Sequence, residues 1–486
     1  MVEFRGRTSD LALLDNQLRL VRDQLASTPG QAVIVTGRRR VGKSRLVQEF
    51  CDRSGMPYVV FQASRGRNPA AERADLVTSL AQSTLPGADL VAGAAGADWN
   101  QVLRAVAVAV PERTPSIVVL DEVPWLVEQD REFEGALQTV WDRYLSARPV
   151  LLLLVGSDLS TMESLQEYGR PFHGRAARML VRPLDPADVR QLTALDPAEA
   201  IDAFLITGGF PEIVQRWRPG TSRTAFLRDQ LADPLSPLLM AGELTLLGEV
   251  PDPSHSRSAL EAIGAGERTF STIANRIGVG DPLPSGTLAP ILNTLTTKRI
   301  VAVDTPLATR PDTKNKRYRI EDSYLRFWLA FLRRGIAEVE RGRGDLVLAR
   351  IERSWSSWRG RAVEPVIRAG LERLLPDERL PGAEVVGGWW NRQNNPEIDL
   401  VGADRDQPAA TRLAFTGSIK WLAKEPFGRR ELDRLLAGSM SVPGRDHSTP
   451  LIAVSRGGVE EGLPVAASFG PEELVAAWAS PPGGAS

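Results

Sequence analysis

Cysteine and histidine are nearly missing from these 486 residues, which hold one Cys, Cys51, and three His. A lone thiol closes no intramolecular disulfide, and this inventory leaves no zinc site of the usual Cys/His kind. Net charge is nearly missing too. At a formal −1 there is no global basic field to draw in nucleic acid or acidic lipid, so any such binding must be local. Long apolar runs are also lacking. The most apolar, Val150-Leu151-Leu152-Leu153-Leu154-Val155, is far too short to span a bilayer and reads as a buried strand of a parallel sheet. The start, Met1-Val2-Glu3-Phe4-Arg5-Gly6-Arg7, has no apolar h-region, so no signal peptide is expected. A cytoplasmic protein without a membrane partner is the expectation.

What is present is ordinary globular composition, 43% hydrophobic and 24% charged. That excludes a mostly disordered or fibrous chain. At roughly 150 residues per domain, the length implies about three domains. The basic residues are overwhelmingly Arg, which by itself does not mark nucleic-acid binding.

The first third alternates strand and helix signals. Strands are expected at Ala32–Thr36, Pro57–Phe61, Ser116–Leu120, Val150–Val155 and Arg178–Val181, with helices at Lys43–Arg53, Ala71–Ser83, Trp99–Val108 and Glu132–Ala147. This alternation predicts an α/β fold with a parallel sheet covered on both faces. From Asp185 to about Leu247 the pattern is helical, punctuated by Pro186, Pro197, Pro211 and Pro219. Val250–Ser254 reads as a Pro-rich linker and Ser480–Ser486 as a disordered tail.

Gly37-Arg38-Arg39-Arg40-Val41-Gly42-Lys43-Ser44 fits G-x-x-x-x-G-K-[ST], between a strand ending at Thr36 and a helix starting at Lys43. Glycines let backbone N–H groups wrap phosphates, and the helix N-terminus, continuing through Arg45, adds positive potential. Lys43 is expected to reach the β- and γ-phosphates of ATP and Ser44 to ligate Mg²⁺. Asp121 and Glu122 close an apolar strand at the edge where such sheets bind ligands. Asp121 is expected to hold Mg²⁺ and Glu122 to deprotonate the attacking water. Ser157, after the next strand, either senses the γ-phosphate or caps the helix that follows. Arg175 either contacts the γ-phosphate, in its own subunit or a neighbour's, or is a surface arginine.

These motifs, with the Phe4-Arg5-Gly6-Arg7 start and Gly208-Gly209-Phe210-Pro211, resemble the archaeal-type ATPases among the AAA+/STAND-related P-loop ATPases. The resemblance implies adenine binding near Phe4–Arg7, an acidic residue at Asp10, and a helical lid whose Pro211 element contacts nucleotide. It also implies a winged helix. The spacing of Leu260, Ile263, Ile273, Ile277, Leu288, Ile291, Leu292 and Leu295 predicts three helices, followed by a hairpin. Arg310, Lys314, Lys316, Arg317 and Arg319 of its wing suit phosphate contacts with DNA. The third helix offers no early Arg or Lys, so a protein-binding or purely structural role stands beside the DNA role. Tyr324–Trp328 reads as packing core.

The C-terminal part resembles the PD-(D/E)XK nuclease-like module of the same family. By that resemblance Glu364 is the helix acid, Asp399 the strand acid and Lys420 the lysine. Ser418 stands where the second strand acid belongs, and a hydroxyl is a poor Mg²⁺ ligand beside a carboxylate. Glu397, two residues from Asp399 on one strand, is the only stand-in. A module with a degenerate metal site is expected.

The expected domains are a P-loop core over 1–184, a lid over 185–250, a winged helix over 251–335, the nuclease-like module over 336–480 and a tail over 481–486. The expected activity is Mg-dependent ATP hydrolysis driving a switch between ATP and ADP states, with DNA or a protein as partner. A DNA-binding regulator using ATP only as ligand, and a metal-dependent nuclease, are the alternatives.

Overall fold

A computed structural model describes residues 4–23, 30–94, 96–250, 255–278, 281–310 and 312–479. The expected linker at 251–254 and tail at 480–486 fall outside the described residues. The chain divides into two units, Met1–Pro183 and Leu184–Ser486. The segments expected as lid, winged helix and nuclease-like module all fall in the second. Among the described residues no helix is long and apolar enough to cross a membrane.

The first unit holds five strands, β1 (Gln31–Thr36), β2 (Tyr58–Gln62), β3 (Ser116–Asp121), β4 (Val150–Gly156) and β5 (Ala177–Leu180). They pair in the order β2-β3-β4-β1-β5, parallel throughout. Every residue of β3 and β4 is buried, as an unbroken apolar run between helix layers requires. A helix at Thr8–Asp23, absent from the sequence reading, buries Leu14, Leu18 and Val21 on one face. The helix expected over Glu132–Ala147 changes character at Trp141. Residues Trp141–Leu145 form a π turn, with Ser146 N donating to Trp141 O at 3.0 Å.

In the second unit the prolines set helix starts. Pro186, Pro197, Pro211 and Pro237 each open a helix, where the missing N–H costs nothing. Asp185 and Asp196 cap two of them. Helices His255–Gly264, Phe270–Ile277 and Ser285–Thr297 follow, then β6 (Val301–Asp304) and β7 (Arg317–Ile320), an antiparallel hairpin. Tyr324, Phe327 and Trp328 are fully buried. The polar tips of two are satisfied, Tyr324 Oη on Leu238 O at 3.0 Å and Trp328 Nε1 on Leu239 O at 2.8 Å. This aromatic stretch is core.

A second sheet closes the chain: β8 (Val385–Trp390), β9 (Glu397–Ala403), β10 (Leu413–Lys420), β11 (Leu451–Ser455) and β12 (Ala467–Phe469), in the order β12-β11-β10-β9-β8. β8, β9 and β10 pair antiparallel, and β10, β11 and β12 parallel. Asp202, on the helix Pro197–Thr207, is buried and receives Arg359 Nη1 at 3.0 Å and Arg456 Nη1 at 2.6 Å. Those arginines come from the helix Gly344–Ala362 and from just beyond β11. The buried ion triad therefore ties three segments far apart in sequence.

Two tests follow from this unit. Gly208 and Gly209 sit at φ 59° and 70°. A Cβ on Gly209 would lie 1.8 Å from Leu184 O. Gly220 has the same φ of 70° but nothing within 4 Å. Gly209→Ala is therefore expected to destabilise by more than about 3 kcal/mol and Gly220→Ala by about 1 kcal/mol in urea unfolding. Equal losses would mean the turn is not sterically bound.

Asp185 accepts from Ala187 N and Asp188 N, each at 2.9 Å. Burial first, then the Asp188 carboxylate, push its pKa up to about 6 from 3.8. Folding favours the protonated form, so this contribution is whole below the unfolded value and lost as pH rises through the folded one. Asp185→Asn keeps the cap without the charge. It is expected to melt above wild type at about pH 7.5, by roughly 1–3 kcal/mol, and level with it below about pH 4. A wild type that melts higher at neutral pH would contradict the assignment.

Candidate functional sites

Thr36 of β1 pairs with Gly156 of β4, and Leu120 of β3 with Leu154 of β4. The loops leaving β1, β3 and β4 therefore start side by side at one sheet edge. The first is Gly37–Gly42. Arg40 and Gly42 lie at φ 67° and 88°, and a Cβ on Gly37 would stand 2.3 Å from Val181 O. Gly42 caps the helix Lys43–Ser54 with no side-chain hydrogen bond, which leaves its first N–H groups to the loop. Lys43 is buried, and its Nζ donates to Gly37 O at 2.9 Å and Arg38 O at 3.0 Å. The lysine thus lies along the loop's own carbonyls. Ser44 is exposed at the second position of that helix.

Arg7 is buried, with Nη2 on Val41 O and Nη1 on Asp10 Oδ2 at 2.7 Å. It braces the loop through its backbone, a role different from the adenine contact expected of it. The ring of Phe4 lies under the guanidinium groups of Arg45, at 6.0 Å, and Arg53, at 5.6 Å.

The second loop begins with Asp121, which is buried and accepts from Glu122 N at 2.9 Å. Glu122 has φ 56° and ψ 41° at the start of the helix Val123–Gln129. A non-glycine residue held in this left-handed region stores strain, which concentrates at functional sites. From the third loop, Ser157 Oγ donates to Glu122 Oε2 at 3.2 Å. Asp158, not Ser157, caps the next helix by accepting from Thr161 N. A cavity of ≈ 400 Å³ opens here, lined by Arg39, Glu122, Trp125, Glu128, Ser157 and Asp158 among others.

Trp125 was not singled out from the sequence. Arg39, at 5.9 Å, and Arg65, at 5.1 Å, both lie over its ring. No local signal marks this, because the three residues leave β1, β2 and β3 separately.

Arg175 needs correction as a cis γ-phosphate contact. It precedes β5, whose first residue pairs with Val33 in the middle of β1. That puts it on the side of the strand starts, away from the phosphate loop. Its Nε and Nη2 bind both Asp142 oxygens at 2.8 Å. Pro211 opens the helix Pro211–Val214 in the second unit, after the Gly208-Gly209 turn.

The expected DNA-contacting wing also needs correction. Arg317 is buried, stacked 4.1 Å from the Trp390 ring, with Nη2 on Glu397 at 3.2 Å and on Asn394 at 2.6 Å. Arg319 pairs across the hairpin with Asp304 at 3.0 Å. Asn315 and Leu307 hydrogen-bond the backbone of β8 at Trp390 and Gly388. This segment is docked on the second sheet, and only Arg310, Lys314 and Lys316 of the five cations are exposed.

Glu364 is the first residue of the helix Glu364–Leu374, which follows the helix Gly344–Ala362. Leu400 of β9 faces Gly417 of β10, so Asp399 neighbours Ser418. Ser418 Oγ and Ile419 N both donate to Asp399 Oδ2 at 2.9 Å. Burial raises the Asp399 carboxyl above its ordinary range. Burial also lifts Glu364 to about 7, against the pull of Arg368.

Lys420 is turned to Glu431 at 2.8 Å and Glu425 at 3.1 Å. Glu397 is engaged by Arg317 and Arg268. Among the described residues no group of three or more His, Cys, Asp or Glu is set to hold a metal ion. The expected trio does not assemble: Glu364 and Asp399 share Arg368, while Lys420 faces elsewhere. Arg368, one helical turn after Glu364, went unread in the sequence, although the i,i+4 spacing of acid and arginine was its signal.

Residues 15–216 match a family described as an ATPase domain predominantly from Archaea. Residues 328–429 match a second, described as archaeal and bacterial proteins of unknown function. An uncharacterized protein of Methanocaldococcus jannaschii is 23% identical over 413 residues, covering 84% of this chain and 86% of that one. A Walker-type ATPase of Pyrococcus abyssi shares 19% identity at a TM-score of 0.48, covering 68% of this chain and 99% of that one. The ORC2 protein of Aeropyrum pernix shares 16% at 0.47, covering 70% and 96%. Over residues 15–216, then, the sequence is that of an ATPase domain of the predominantly archaeal kind.

Proposed function

We propose that the first unit binds Mg-ATP at Gly37–Ser44 and hydrolyses it. The observation that carries this reading is the row of three strand ends. The loop before Lys43, the pair Asp121-Glu122 and Ser157 leave β1, β3 and β4 at one sheet edge, and Ser157 hydrogen-bonds Glu122. Backbone N–H groups at the start of the helix Lys43–Ser54 and the Lys43 ammonium suit phosphate oxygens. Lys43 would exchange its carbonyl partners for the β- and γ-phosphates. Ser44 and Asp121 are the hydroxyl and carboxylate that suit Mg²⁺, which supplies charge neutralisation on those phosphates when bound.

Glu122 then acts as general base. It takes a proton as water oxygen bonds the γ-phosphorus and the bond to the β,γ-bridging oxygen breaks, releasing ADP. Ser157 holds the carboxylate through its 3.2 Å hydrogen bond and so fixes the direction of proton transfer. Arg175, if it contacts phosphate, does so in a neighbouring subunit. Phe4 is placed beside the helix that follows the loop, a position compatible with the base of the nucleotide. We read hydrolysis as driving a switch, with ATP and ADP favouring different states of the chain.

The second reading is a DNA-binding regulator in which ATP is only a ligand. Residues 255–320, read as a winged helix, support it through Arg310, Lys314 and Lys316 alone, so it is the weaker of the two. Residues 336–479, read as a nuclease-like module with a lost metal site, do not support a nuclease.

Steady-state ATP turnover decides between them, measured for wild type, Glu122→Gln and Lys43→Ala with and without double-stranded DNA. Glu122→Gln is expected to lose at least about 100-fold in kcat while still binding ATP, and Lys43→Ala to lose binding. Turnover equal to wild type in Glu122→Gln would remove the assigned base. Salt-sensitive DNA binding without turnover in any protein would favour the regulator.

A further inference from the structure

The reading of residues 336–479 as nuclease-like implies a divalent cation between Glu364 and Asp399, and the side chains present do not fit one. Such an ion takes about six oxygen ligands, mostly carboxylates and waters. Asp399 Oδ2 is already taken by Ser418 Oγ and Ile419 N. Lys420 is held by Glu425 and Glu431. Glu397 is neutralised by Arg317 and Arg268.

The space is filled by another cation. Arg368 Nη2 donates to Glu364 Oε2 at 3.3 Å, and Arg368 Nε to the Asp399 backbone carbonyl at 2.9 Å. A Cβ on Gly388 of β8 would stand 2.5 Å from that same Nη2, so the guanidinium packs directly on the strand. The glycine is what lets it lie there.

We infer that Arg368 is the resident cation of this cluster, standing where a divalent metal would otherwise join Glu364 to Asp399. The inference rests on the nuclease-like reading. It explains why a hydroxyl is tolerated at Ser418. With no metal to complete, that position needs only to donate a hydrogen bond to Asp399.

Mn²⁺ binding to the full chain without nucleotide tests this, read by electron paramagnetic resonance and by thermal melting with and without Mn²⁺. The proteins are wild type, Ser418→Asp, Arg368→Ala and the double variant. Wild type and Ser418→Asp are expected to show no site that Asp399→Asn removes. The double variant is expected to gain one such site, at least about tenfold tighter than any in the single variants, with melting raised by Mn²⁺.

A Ser418→Asp protein that binds Mn²⁺ as tightly as the double variant would overturn the inference while leaving the nuclease-like reading intact. So would a wild type whose bound Mn²⁺ is lost in Asp399→Asn. A folded double variant that binds no Mn²⁺ would overturn the nuclease-like reading itself. Should that variant fail to fold, Ser418→Asp with Arg368→Gln replaces it, keeping a hydrogen-bond donor without the charge, and the same outcomes apply.

Discussion

The parallel pairing of β4 with both β1 and β3 is the constraint on which the first unit depends. Parallel strands present their carboxyl ends on one edge, so the loops after Thr36, Asp121 and Gly156 leave in a row. The phosphate loop, the two acids and the serine come from three segments that together span about 120 residues of sequence. They meet because β4 lies between β1 and β3. The strands are buried on both faces, which holds β4 between the helix layers. Strain then becomes affordable locally: Glu122 stays left-handed because the rigid strand before it and the helix after it over-determine its backbone.

The second unit depends more on buried guanidinium groups. Asp202 draws in Arg359 and Arg456, Glu397 draws in Arg317, and Glu364 draws in Arg368. Arginine suits these places because its planar fork satisfies several acceptors while staying charged. The Asp202 and Glu397 pairs join segments distant in the chain, Glu364 and Arg368 lie on one helix, and breaking one partner would strand a buried charge. The arginine-rich composition therefore serves internal cohesion first. This accounts for the loss of the DNA-like character expected of the hairpin, since the side chain most buried in it, Arg317, reads a tryptophan face and a carboxylate of the neighbouring sheet.

Much of the architecture was legible before any coordinates. Apolar runs bounded by Gly and Pro located the strands of the first sheet, and prolines punctuated the helices between 185 and 247, because local chemistry decides those boundaries. Gly37–Ser44 with Asp121-Glu122 was legible for the same reason: a phosphate loop needs its glycines and lysine consecutive, so its signal is contiguous. Arg175 was not legible, since its partner Asp142 lies 33 positions away and only the start of β5 shows which edge it occupies. The cation–π sandwich on Trp125 is likewise assembled from three loops.

The sequence by itself determined the parallel α/β core, the phosphate-loop residues and the proline-marked helix starts, because each is written within a few consecutive residues or one period of a helix or strand. Tertiary structure alone decided which cation answers which acid. It turned Lys420 toward Glu431, Arg317 toward Glu397, and Arg359 and Arg456 toward Asp202. Long charged side chains can reach many partners, and only burial, by removing water as the competing ligand, selects one.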